Sequence, residues 1–321
     1  MLLDIARDHR CLFVGGKGGT GKTTVSSGLA MARADDGGRV LLVSTDPAHN
    51  LGDIWGQELA DEPRRVHTGE RGFVDALEVD PEATIDAHFA SVERMMTRML
   101  PESTHRAARA HLASARSAPG SHESAVLERI ATILAEAADY DLVVVDTAPT
   151  GHTLHLLALP ERLTDWAETL LSNRDRSERF AAAARHLVSP KEETPTPDAE
   201  LRQKLQARRD RFAALRRSIS DSRQTGFLIV TIAEQLPVAE TLGLVTDLGG
   251  IGIELSGLVV NRRSPADAGE FLADRRRRED EHVSRLRSAV PTVPLAQLPL
   301  TATEPTGVGG ITGLAALLAE R

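Results

Sequence analysis

Gly16-Lys17-Gly18-Gly19-Thr20-Gly21-Lys22-Thr23 packs four glycines, two lysines and two threonines into eight residues. The spacing is G-x-x-x-x-G-K-[ST], a loop whose unobstructed backbone N–H groups can turn inward on a polyphosphate at the positive end of a helix dipole. In that reading Gly16, Gly18, Gly19, Thr20 and Gly21 form the cradle. Lys22 neutralises β- and γ-phosphate oxygens, Thr23 completes the coordination of Mg²⁺, and Thr24 caps the helix or touches the α-phosphate. The two lysines stand out because the chain has only two others, Lys191 and Lys204, among 38 basic residues. A chain that otherwise uses arginine for surface charge keeps ammonium groups in this loop.

Two aspartates follow at strand ends. Asp46, in Ser44-Thr45-Asp46-Pro47-Ala48-His49, can orient or deprotonate an attacking water; it can equally cap a helix that starts at Pro47. Asp146 closes the aliphatic run LVVVD, the setting in which an aspartate holds Mg²⁺ directly or through its waters.

These groups need a sheet edge to converge on. CLFV (11–14), RVLLVST (39–45), FVDALEVD (73–80), DLVVVD (141–146), GFLIVTI (226–232), LSGLVVN (255–261) and TVPLAQL (292–298) read as seven strands, most of them separated by helical segments. Continuous aliphatic runs suit parallel strands buried on both faces. The fold expected is α/β, a doubly wound, mostly parallel sheet of the P-loop NTPase type with a helical subdomain inserted into it. Its divisions are 1–80 (core with the phosphate loop), 81–138 (helical insertion), 139–159 (core with a second switch), 160–222 (helical insertion) and 223–321 (core). SPKEETPTPD (189–198) reads as an exposed loop.

Composition removes several alternatives. A formal charge of −8 argues against a general grip on nucleic acid or anionic lipid, and 3% aromatics against a base-stacking platform. A single cysteine, Cys11, forbids an intrachain disulfide and a site needing two thiolates from one chain. No apolar run approaches the roughly 18 residues of a membrane span, and the first ten residues lack a secretory core. A cytoplasmic protein is expected. Arg275–Arg278 followed by EDEH reads as a solvated helix face with internal ion pairs, and ITGLAALLAER as a helix packed on the sheet.

Lys-Gly-Gly-Thr-Gly-Lys-Thr resembles the deviant phosphate loop of the MinD, ParA and ArsA class of ATPases, in which the early lysine, here Lys17, reaches across a dimer to the partner's nucleotide. Asp146-Thr147-Ala148-Pro149-Thr150-Gly151-His152-Thr153, with Pro119-Gly120 and Glu123, Asn261, Leu298-Pro299-Leu300 and Glu304-Pro305-Thr306-Gly307, narrows the resemblance. The pattern is similar to the arsenite-pump ATPase ArsA and the ATPases that deliver tail-anchored membrane proteins. The resemblance implies ATP and Mg²⁺, catalysis by Asp46, Lys17 and Lys22, Mg²⁺ held by Thr23 and Asp146, and an adenine pocket of Asn261, Pro299 and Leu300. On its own residues, Asn261 can also be a strand-end turn. The resemblance further implies a homodimer, or a heterodimer with a related chain, coupling hydrolysis to a helical surface for a protein client. A nucleotide-gated binding module with little turnover and a MinD- or ParA-like spatial organiser are the alternatives.

The chain departs from that family at its cysteines. Gly120 stands where ArsA halves carry a metalloid thiolate, and no Cys-x-x-Cys pair exists to clamp zinc across a dimer. Met95, Met96 and Met99 in SVERMMTRMLP, with the apolar positions of 163–188, form either a client groove or an ordinary amphipathic core face.

Overall fold

The computed structural model describes residues 1–46, 50–99, 105–116, 121–147 and 197–320. Its elements are, in order, α1 (Leu2–Asp8), β1 (Cys11–Gly15), α2 (Lys22–Asp35), β2 (Arg39–Ser44), α3 (Asn50–Trp55), β3 (Arg64–Thr68), β4 (Phe73–Glu78), α4 (Pro81–Met99), α5 (His105–Arg116) and α6 (Ser121–Glu136). They continue with β5 (Leu142–Asp146), α7 (Pro197–Ser220), β6 (Thr225–Ile232), α8 (Gln235–Gly250), β7 (Gly257–Arg263), α9 (Glu270–Ala289), β8 (Leu295–Pro299) and α10 (Gly307–Glu320).

The strands form one eight-stranded sheet in the order β3-β4-β2-β5-β1-β6-β7-β8. Every pairing is parallel except β3 with β4. β1 lies between β5 and β6, so the chain winds outward in both directions from it, and the crevice beyond its carboxyl end is the expected ligand position of such a sheet. Leu12, Val14, Val40, Leu42, Val144 and Val230 form one core with residues of α1, α2, α3 and α10. The alternate residues Cys11, Phe13, Leu41, Val43, Val143, Val145, Phe227 and Ile229 are buried too. Phe13 and Phe227 stack there at 6.1 Å between ring centres. Burial on both faces is why these strands read as unbroken aliphatic runs.

Two elements escape the hydrophobic pattern. β3, Arg-Arg-Val-His-Thr, is an edge strand with only Val66 buried and a register break between Arg65 and His67. It is held by its polar side chains: Arg65 stacks over the Phe73 ring at 3.5 Å and pairs with Asp75. α1 buries Leu2, Leu3, Ile5 and Ala6 but spans just seven residues, too few for periodicity to declare itself.

The C-terminal helix α10 packs chiefly on α2, α3 and α1, and its buried residues share one core with the sheet strands. Gly28 of α2 makes the close approach possible, since a Cβ there would lie 2.8 Å from Leu314 Cγ. Ile311 and Leu318 are fully buried in that seam, each worth about 2 kcal/mol. The Arg275–Arg278 run does form the intrahelical pairs Arg275–Glu279, Arg276–Asp280 and Arg277–Asp274. The run is exposed or half-buried as expected, and the residue that follows it turns inward. Glu279 is buried and takes Ser264 Oγ at 2.6 Å, the Ser264 N–H at 3.0 Å and buried Arg263 at 2.8 Å, tying α9 to the end of β7.

The described residues fall into two compact units. The first holds the sheet, from residues 1–80, 136–147 and 218–320. The second is helical, residues 81–135 and 197–217, with α4 and α5 joined by Arg109–Glu93 and Arg116–Asp86 pairs and α6 and α7 by Arg211–Glu128. α4 contains Met95, Met96 and Met99, whose side chains lie outside the described set, as do residues 163–188; the choice between groove and core falls there.

Candidate functional site

The phosphate loop follows directly from the last residue of β1. Gly16 has φ +141°, and a Cβ on it would lie 2.1 Å from the carbonyl oxygen of Val230 on β6, so only glycine lets the chain leave the sheet there. Gly18 and Gly19 are exposed. Gly21, in the left-handed region at φ +91°, caps α2, which begins with Lys22. The loop closes on one acceptor: the Lys17 carbonyl takes the Thr20 N–H at 3.4 Å, Thr20 Oγ1 at 2.8 Å and Lys22 Nζ at 3.3 Å. Lys22 Nζ thus sits inside the curl.

Beneath α2, Asp146 ends β5 in register with both Val14 of β1 and Ser44 of β2. Ser26 Oγ donates to Asp146 Oδ1 at 3.4 Å, and the Thr23 hydroxyl is near enough to favour the charged carboxylate. Asp146 Oδ2 is buried with no hydrogen-bond partner among the described residues. Burial pushes the Asp146 carboxyl up to about 7, against the Thr23 hydroxyl and the Lys22 charge, which lower it. Burial in turn lowers the Lys22 ammonium, opposed by the charges of Asp146 and Asp46. Lys22, Asp146 and Asp46 therefore share one electrostatic neighbourhood. An unsatisfied buried carboxylate oxygen beside a threonine hydroxyl fits a small hard cation that takes its remaining ligands from phosphate and water.

Asp46 is half-buried and lies just beyond β2; its N–H reaches Ser44 Oγ at 3.3 Å. Thr45 donates its N–H at 2.9 Å and its hydroxyl at 3.3 Å to the Asp146 carbonyl, which joins the two aspartate segments. The alternative in which Asp46 caps a helix at Pro47 falls on residues 47–49, outside the described ones. So do Ala148 to Leu154, Pro119 and Gly120.

Asn261, near the end of β7, points at the phosphate loop. Its Nδ2 donates to the Thr20 carbonyl at 2.9 Å and its Oδ1 accepts the Arg262 N–H at 2.9 Å, holding Arg262 at φ +55°. Pro299 and Leu300 are exposed at the end of β8, where the Leu300 N–H donates to the Arg263 carbonyl. Thr24 is half-buried on α2. Sequence reasoning missed Ser26, although its position three residues after Thr23 puts it on the same helix face. It also missed Glu240 of α8, whose carboxylate receives Lys17 Nζ at 2.5 Å and which carries no local signal.

Residues 9–320 match the family described as anion-transporting ATPase, the ArsA type. The chain belongs to the ArsA ATPase family. It is 30% identical over 308 residues to "ATPase ASNA1 homolog 1" of Paramecium tetraurelia, covering 96% of this chain and 91% of that protein. It is 29% identical to "Putative arsenical pump-driving ATPase 2" of Aquifex aeolicus, over 93% and 95% of the two chains. With "ATPase get3" of Aspergillus terreus it shares 31% identity over 93% and 87%. The ArsA family accounts for the mostly parallel sheet and the glycine loop together. No helix among the described residues is long and apolar enough to cross a membrane.

Proposed function

We propose that this ArsA-family chain is a Mg²⁺-dependent ATP hydrolase that dimerises around ATP and uses the cycle to move a helical surface holding a protein client. The observation that carries the reading is the convergence of Lys22, Thr23 and Ser26 on Asp146, whose Oδ2 is buried and unpaired among the described residues. Thr23 and Asp146 would hold Mg²⁺, which supplies charge neutralisation between phosphate oxygens when bound.

The chain's own residues supply the remaining chemistry. Loop N–H groups bind the phosphates, and Lys22 exchanges the Lys17 carbonyl for phosphate oxygens. Asp46 orients the attacking water and accepts its proton on a carboxylate oxygen. Lys17 completes the partner's site in the dimer, and to do so it leaves Glu240. Asn261 reads the adenine edge beside Pro299 and Leu300, from a position that already braces the loop. Residues 81–138 and 160–222 form one helical insertion that carries the client surface, and the cytoplasm is the setting.

The test is Asp46→Asn. It is expected to keep ATP affinity while phosphate release falls by about 10²-fold or more. A wild-type protein that binds Mg-ATP tightly yet never releases phosphate would favour the nucleotide-gated binding module instead.

A further inference from the structure

Glu78, the last residue of β4, is a buried carboxylate with no part in the mechanism above. Its Oε1 accepts two backbone N–H groups from the first turn of α3, Leu51 at 2.9 Å and Gly52 at 3.0 Å. These are donors a helix start leaves without intrahelical acceptors, and a negative charge there complements the helix dipole. Glu78 is itself fixed: its N–H donates to the Ala60 carbonyl at 3.0 Å, and the next N–H, of Val79, donates to the Ser44 carbonyl at 2.9 Å.

Ser44 and Glu78 are register partners on adjoining strands. Side by side, they hold the two ends of one short segment. Ser44 Oγ takes the N–H of Asp46, and the Glu78 carboxylate takes the helix that resumes at Asn50, with only residues 47–49 between. At its other end α3 is locked by Trp55, which is 2% exposed in the main core, and Leu51 is fully buried. Glu78 therefore fixes the helix against the sheet edge, and through the Ser44–Glu78 pairing the same sheet edge holds the Asp46 N–H.

We infer that Glu78 is a positioning residue for hydrolysis: by anchoring the start of α3 it sets where the Asp46 carboxylate stands. The inference rests on the role given to Asp46 above. A misplacement of about 1 Å in a reacting group can cost about a hundredfold in rate, so the effect belongs in kcat rather than in nucleotide affinity.

The experiment uses full-length protein carrying Trp166→Phe, which leaves Trp55 as the one tryptophan of the two in the chain. In that background Glu78→Ala, Glu78→Gln, Glu78→Asp and Asp46→Asn are compared for Mg-ATP turnover, affinity for a fluorescent ATP analogue, and acrylamide quenching of Trp55. Glu78→Ala is expected to lower kcat roughly ten- to a hundredfold, with affinity within about twofold and Trp55 more readily quenched. Glu78→Gln keeps an acceptor oxygen at the same reach and should recover most of the rate, whereas Glu78→Asp, one methylene short, should not. Full turnover in Glu78→Ala, or a loss shared equally between kcat and affinity, overturns the proposal. Should Glu78→Ala not fold, Glu78→Asp matching or exceeding Glu78→Gln overturns it. Asp46→Asn at the wild-type rate would instead sink the underlying reading, and an inactive Asp46→Asn beside a fully active Glu78→Ala would sink this inference alone.

Discussion

Lys17 Nζ and Glu240 Oε1 stand 2.5 Å apart within one chain, joining the loop after β1 to α8. Both side chains are about a third or more exposed, 34% and 42%, so solvent screens the pair and it contributes at most about 1 kcal/mol. Such a contact can hold a cation in place and still release it to a neighbouring phosphate. Glu240→Gln should free Lys17 and strengthen the ATP-dependent dimer by up to about fivefold, the factor that corresponds to about 1 kcal/mol. Sedimentation of the Asp46→Asn form with Mg-ATP reads this directly, and a weaker dimer would show that Glu240 supports assembly instead.

The exit from β1 makes a sharper demand. At Gly16 an added Cβ meets the Val230 backbone, which no rotamer change can relieve. Gly16→Ala should therefore cost about 3 kcal/mol in urea unfolding and weaken Mg-ATP binding together with it. Retained stability and affinity would mean that the strand can shift to make room.

Far from the loop, the Glu279 carboxylate is held below its ordinary value: burial alone would raise it, but hydrogen bonds from Ser264 and Arg275 and the charge of Arg263 prevail. A group whose folded value is depressed contributes stability above its unfolded value, 4.5 here, and loses it as the pH falls through the folded one. Glu279→Gln leaves Arg263 buried with only the exposed Asp280 carboxylate beside it, so stability at pH 7 should drop by about 3 kcal/mol. As the pH falls below 4.5 and through the folded value, the variant and wild type should converge in denaturant titrations. A constant gap across the acid range would remove the charge from the explanation.

The glycine loop and the two strand-end aspartates were legible because short-range pattern encodes them. An aliphatic run followed by Gly15-Gly16 specifies a strand that ends in a phosphate loop, and Asp46 and Asp146 follow similar runs, so parallel pairing brings their ends together. What the sequence withheld depends on strand order. Asn261 meets Thr20 because β6 separates β7 from β1 by a single strand. Glu78 meets α3 because β4 pairs with β2. β3 was hidden for a different reason: as an edge strand stabilised by Arg65 and Asp75 it buries too little apolar surface to leave a period.

The proposed hydrolase depends on Lys22, Thr23 and Asp146 forming one site for Mg-ATP. Calorimetric titration of ATP into wild type, Lys22→Ala and Asp146→Asn, each with Mg²⁺ and with EDTA, reads that site. Binding should be tight in wild type with Mg²⁺, nearly absent in Lys22→Ala under both conditions, and insensitive to Mg²⁺ in Asp146→Asn. Equal affinity in all three proteins, with or without the cation, would contradict the account.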